Sequence, residues 1–121
     1  MEQMELFPSA SKTDMQAARS LLKRYDRMRR SADILSRKQE LTGKERDVLD
    51  DWRQKSEAVE MAVKMIVEEE VRTVMEFRFI RGHTRWGTVS RFPEITERSV
   101  DRRIVRGVES VAETLKLLGI I

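Results

Sequence analysis

Apolar residues recur at helical intervals along nearly the whole chain. Met15, Ala18, Leu22, Tyr25, Met28, Ala32 and Leu35 follow one another in steps of three and four, the interval that keeps side chains on one face of an α-helix. The spacing predicts a first helix ending near Arg37. Thr13-Asp14-Met15-Gln16 fits the reciprocal capping box that opens it. A second box, Thr42-Gly43-Lys44-Glu45, predicts another helix from about Gly43, with a stripe of Val48 or Leu49, Trp52, Val59, Val63 and Ile66, interrupted by Ser56. The short connection from Lys38 to Thr42 predicts an antiparallel helical hairpin. Most of both stripes is then intramolecular core, the alternative use being a dimer seam.

Past Ile66 the stripe changes phase, to Val67, Val71, Val74, Phe77 and Ile80. Two readings fit: the second helix runs on, or it bends at Glu68-Glu69-Glu70, whose carboxylates suit a new helix N-terminus. Gly82 ends this helix as a residue that accepts positive φ. Thr84 is expected to cap a short helix with Trp86 and Val89 facing inward, stopped by Phe92-Pro93. Ile95 enters the core just ahead of Thr96, the expected N-cap of a last helix. There Val100, Ile104, Val108, Val111, Leu115 and Leu118 form the inner face, and Arg98, Arg102 and Arg106 stand roughly opposite. The expected fold is all-α: a loose N-terminus over residues 1–12, a long helical hairpin over 13–66 serving as an oligomerisation arm, and a helix-turn-helix head over 67–121.

Charge sharpens this pattern. The net charge is +3 over 121 residues, but residues 72–106 hold nine arginines and no lysine against Glu76, Glu94, Glu97 and Asp101. A positive field concentrated on the expected head points to a polyanion. Arginine's planar fork suits phosphate and the O6/N7 edge of guanine. Arg19, Lys23, Arg24, Arg27 and Arg30 make a basic outer face on the first helix, which could touch phosphates but is more readily read as simply solvated. With the last helix in a major groove, Arg98 and Arg102 become base readers. Ser99, Thr84 and Arg85 would position phosphates. Asp101 would repel phosphate and is expected to pair with a neighbouring arginine.

Other classes lose ground on composition. The absence of cysteine removes disulfides and thiolate ligands and fits a reducing cytoplasm. His83 is the sole histidine, and consecutive Glu68, Glu69 and Glu70 point about 100° apart on a helix, so no metal or cofactor is expected. No nucleophile–base set or glycine-rich phosphate loop is present, so an enzyme is not expected. No apolar run approaches the ~20 residues of a membrane span.

The C-terminal half resembles region 4 of bacterial sigma factors, and more closely the sigma-region-4-like phage regulators of the RinA and ArpU late-gene activator type. The resemblance rests on Phe77-Arg78-Phe79-Ile80-Arg81-Gly82, Trp86 with Val89, the run Ile95 to Ile104, and Val111-Ala112-Glu113-Thr114-Leu115 with Gly119. It implies a transcriptional regulator that binds double-stranded DNA of phage or prophage late operons. It also maps Arg98, Ser99, Arg102, Arg103 and Arg106 onto the reading helix. A homo-oligomer, first of all a dimer, is expected, with RNA polymerase as a further partner. Two rival functions are a small-terminase-like packaging protein, marked by a ring of about eight or more subunits, and a module that contacts RNA polymerase without binding DNA.

Overall fold

A computed structural model describes residues 7–121, and these residues are all-helical. The elements are α1 (Lys12–Ser36), α2 (Gly43–Lys64), α3 (Glu69–Met75), continued by a π-helical turn (Glu76–Ile80), then α4 (Arg85–Arg91) and α5 (Glu97–Leu117). The first six residues of the expected N-terminal tail lie outside the described part.

Caps decide where the helices start. Thr42 and Glu45 form the expected box: the Glu45 N–H donates to Thr42 Oγ1 at 3.1 Å and the Thr42 N–H to Glu45 Oε1 at 3.0 Å. Each bond satisfies a backbone donor that has no partner inside the helix. The box expected at Thr13 forms two residues earlier instead. Ser11 is the N-cap, bonded reciprocally to Asp14, and Thr13 lies inside the helix. Asp14 Oδ2 also receives Lys116 Nζ from the far end of α5 at 3.0 Å.

The two long helices lie side by side, the end of α1 facing the start of α2. Tyr25 donates its phenol proton to Glu60, and Lys38 reaches Glu45. Burial and the neighbouring carboxylate push the Tyr25 phenol well above its ordinary value. Of the alternatives for the α2 stripe, Leu49 is buried and Val48 only half-buried. Ser56 does more than interrupt the stripe: it is buried, and its hydroxyl has no hydrogen-bond partner among the described residues.

Between Met65 and Glu68 the chain leaves the helix, so α2 does not run on into α3. Val67, expected inside, is 88% exposed in this break. Glu69 and Glu70 occupy the first turn of α3, where the unpaired N–H groups favour negative charge. At Arg81 the backbone N–H bonds back five residues to Glu76 at 2.9 Å, the wide-turn signature of a π-helix. One extra residue in the turn rotates the side chains around it. Phe79 is consequently buried, while Phe77 and Ile80, expected in the core, are only half-buried.

Gly82 and Gly119 both take φ of +75°, ending α3 with its π-turn and α5 as left-handed caps. Trp86 overturns its expectation: it is 65% exposed. The inward position on α4 belongs to Thr88, fully buried, whose hydroxyl donates to the Thr84 carbonyl at 2.9 Å. Leu118, expected on the inner face of α5, is its C-cap and stands 43% exposed.

The segments expected as arm and head share one core. Leu22 and Tyr25 of α1, Val59 and Val63 of α2, Val74 and Met75 of α3, and Val100, Val108, Val111 and Leu115 of α5 belong to a single apolar cluster. Helix α5 packs against α1, α2, α3 and α4. Fully burying one such side chain is worth about 1.5–3 kcal/mol, so the inner face of α5 helps to hold all of these elements together. No described helix is long and apolar enough to cross a membrane.

Candidate functional site

The outer face of α5 is presented by its cap. The Ser99 N–H donates to Thr96 Oγ1 at 3.1 Å, and the Thr96 hydroxyl donates to Ser99 Oγ at 3.0 Å. With the first turn closed and Val100 and Ile104 buried, helical geometry directs Arg98, Arg102 and Arg106 outward. All three are exposed.

Two carboxylates, Glu97 and Asp101, share the first turns of α5 with these arginines. Arg85, the first residue of α4, engages both. Its Nε and Nη2 donate to the two oxygens of Asp101 at 3.0 and 2.8 Å, and Nη2 also donates to Glu97 Oε1 at 2.6 Å. The paired fork is the geometry in which guanidinium meets carboxylate best. It holds the Asp101 carboxyl below the usual carboxylate range and pushes the Arg85 guanidinium above its ordinary value. Asp101 thus pairs with an arginine as its setting demands. Arg85 itself, expected to meet phosphate, is occupied within the protein. Thr84 is occupied too, since its hydroxyl accepts the Gly87 N–H at 3.0 Å as the cap of α4.

Arg106 is likewise engaged. It forms an ion pair with Glu68 at the α2–α3 break, across a shallow open groove of ≈ 690 Å³. From α5, Arg98, Arg102, Arg103 and Val105 line this groove together with Asp101 and Glu109, and Glu68, Glu70 and Val71 complete it. Arg98, Arg102 and Arg103 have no ion-pair or hydrogen-bond partner among the described residues. Of the seven residues expected to form the site, these three are therefore free to bind. Thr84 and Ser99 serve caps, and Arg85 and Arg106 hold carboxylates.

The turn between the π-helical turn and α4 is built from aromatic rings. His83 stacks on Phe77 with centroids 3.8 Å apart and planes 4° from parallel, and Phe92 meets Phe77 edge-on at 6.0 Å. Arg78 donates to the His83 carbonyl at 2.7 Å and lies over the Phe79 ring; partial burial lowers its pKa from the ordinary value. His83 lies exposed in this turn and stacks there on Phe77. Sequence reasoning missed this stack, the Arg85 clamp and the Glu68–Arg106 pair. All three join residues from different elements, where helical spacing carries no signal. Among the described residues no group of three or more His, Cys, Asp or Glu side chains is placed to hold a metal ion. No protein-family model, curated protein or solved structure matches this chain.

Proposed function

We propose that this chain is a sequence-specific double-stranded-DNA-binding regulator of phage or prophage late-gene transcription, acting as a homo-oligomer, first of all a dimer, with no enzymatic chemistry. On this reading α4, the turn from Phe92 to Ile95, and α5 form a helix-turn-helix, and α5 enters the major groove. The observation that carries the DNA reading is the state of the α5 outer face. Arg98 and Arg102 are exposed and unpaired among the described residues, while the adjacent carboxylates of Glu97 and Asp101 are already held by Arg85. What remains for a partner is a cationic front on a helix whose back is mostly apolar. The late-gene assignment rests on the resemblance of about residues 66–119 alone.

A bidentate arginine–guanine pair discriminates against the wrong base by roughly 1–3 kcal/mol. After selection of bound fragments from mixed-sequence DNA, Arg98→Ala and Arg102→Ala should each reduce preference for the selected site over a scrambled duplex by about tenfold, measured by band shift. Unchanged preference in both variants overturns the site assignment. Failure of the native protein to bind any duplex at moderate salt overturns the function.

A further inference from the structure

The basic outer face of α1 invites the bland reading of a solvated helix surface, and its ion pairs argue against that. Helix α1 carries three carboxylates. Asp14 is held by Ser11 and Lys116, Asp26 by Arg30, and Asp33 by Arg29. Arg19, Lys23 and Arg27 are left exposed at intervals of four with no ion-pair or hydrogen-bond partner among the described residues. Beside them Arg24 bonds only to its own helix, its Nε donating to the Ser20 carbonyl at 3.4 Å. These four cations thus stand along one side of the helix, and each carboxylate of that helix is paired with another residue. At 1.5 Å per residue the row from Arg19 to Arg27 is about 12 Å long.

A second feature adjoins this row. Arg24, Arg27 and Ser31 of α1 and Lys55 of α2 line a hollow of ≈ 310 Å³ between the two helices. Its one carboxylate, Asp51, is already bonded to Lys55 at 3.0 Å. A hollow with two uncompensated guanidinium groups and a hydroxyl is suited to a phosphate group.

We propose that the α1 face of Arg19, Lys23, Arg24 and Arg27 is a second contact surface for the phosphate backbone of double-stranded DNA, separate from the α5 face. The proposal rests on the DNA-binding function proposed for α5 and extends it. Duplex DNA presents one negative charge per ~1.7 Å of axis, so a row of this length meets several phosphates. A membrane surface fits less well. Helices that lie in a bilayer interface combine the cationic face with exposed apolar side chains, whereas the neighbours here are Gln16 and Ser20. The exposed Ile34 stands two turns further along. Both helices turn their inner faces to the shared core, so the α1 and α5 cations stand on the outer faces of two different helices. Binding through both makes the protein a bridge between two duplex segments, or a grip on one that bends around it.

The test is a salt titration of binding to a mixed-sequence duplex several helical turns long. Removing one phosphate-binding cation should flatten the slope of log K against log salt by about 0.9. Relative to native protein, the triple variant R19Q/K23Q/R27Q should show a slope shallower by about 2 to 3 and an affinity lower by about tenfold or more at moderate salt. It should keep the native preference for a selected site over the mixed sequence, which belongs to α5. The charge-keeping variant R19K/R27K should retain the native slope, separating charge from structure. Native protein that binds while the triple variant matches its slope and affinity overturns this proposal alone. Native protein that binds no duplex overturns the DNA reading and the proposal together. Loss of binding to phosphatidylserine vesicles in the triple variant, with duplex binding unchanged, assigns the face to lipid and overturns the proposal.

Discussion

Gly107 stands where α5 crosses α3, and its missing side chain is what allows the contact. A Cβ placed there would collide with Cγ of Met75 and lie 2.5 Å from its sulfur. In a helix, replacing glycine by alanine ordinarily gains up to ~1 kcal/mol. Here the added methyl enters the filled core beside Met75, and overpacking of this kind costs about 1–3 kcal/mol. Gly107→Ala should therefore lose stability, by on the order of 1 kcal/mol in urea unfolding, instead of gaining it. Combining it with Met75→Ala should cost less than the two single changes added together. The sequence marks Gly107 as a weak point in a helix; only the packing shows why a glycine belongs there. Trp86 teaches the complementary lesson. Its spacing to Val89 suits an inward pair, but α4 is only seven residues long and Thr88 takes the buried place. In so short a helix two faces fit the pattern nearly equally well.

At the scale of elements, local features were legible and tertiary ones were not. The caps at Thr42, Thr84 and Thr96 and the stop at Gly82 follow from side chains bonding to a backbone three residues away and from a glycine's tolerance of positive φ, and all stand where expected. The cap at Ser11 in place of Thr13 rests on the local reciprocal bonds of Ser11 and Asp14, and Lys116 reaches the same carboxylate from α5. The α5 arginine row was readable from periodicity. Which arginines are free was not, because Arg85 and Glu68 approach from other elements. The clamp from α4 to α5 carries its own prediction. Arg85→Ala should release the charges of Glu97 and Asp101 onto the α5 face and weaken duplex binding, with only a small fall in melting temperature because the pair is exposed. Adding E97Q and D101N should restore most of the affinity, by fluorescence anisotropy. Continued weakness in the triple variant would mean that Arg85 contacts DNA directly.

For the whole molecule, the single core implies one cooperative transition. Trp52 on α2 and Trp86 on α4 report on opposite parts of the chain. Proteins retaining only one tryptophan each, the other being phenylalanine, should give fluorescence unfolding curves that coincide with their own circular-dichroism curves; an earlier fluorescence transition in either would reveal separate units. Acid should weaken the fold through its caps. Lys38, and then the Thr42 N–H, lower the Glu45 carboxyl from its ordinary 4.5 to about 2. Asp14 is lowered by the Ser11 N–H and then by Lys116. A carboxyl depressed in the folded state contributes stability that is present above its unfolded pKa and lost as pH falls through the folded one. The urea midpoint should therefore fall between about pH 4.5 and about pH 2, and Glu45→Gln should make that fall smaller.

The wide turn at Glu76–Ile80 makes this region sensitive to length more than to composition. Removing any one of its five residues would let an ordinary α-helix close and turn every later side chain by about 100°. Phe79 would leave the core, and the stacked His83 would lose its place beside α4. A single-codon deletion here should therefore harm the protein more than most substitutions at the same positions. The register of the α4–α5 unit against α1 and α2 is held by a count of residues, which no choice of amino acid can replace.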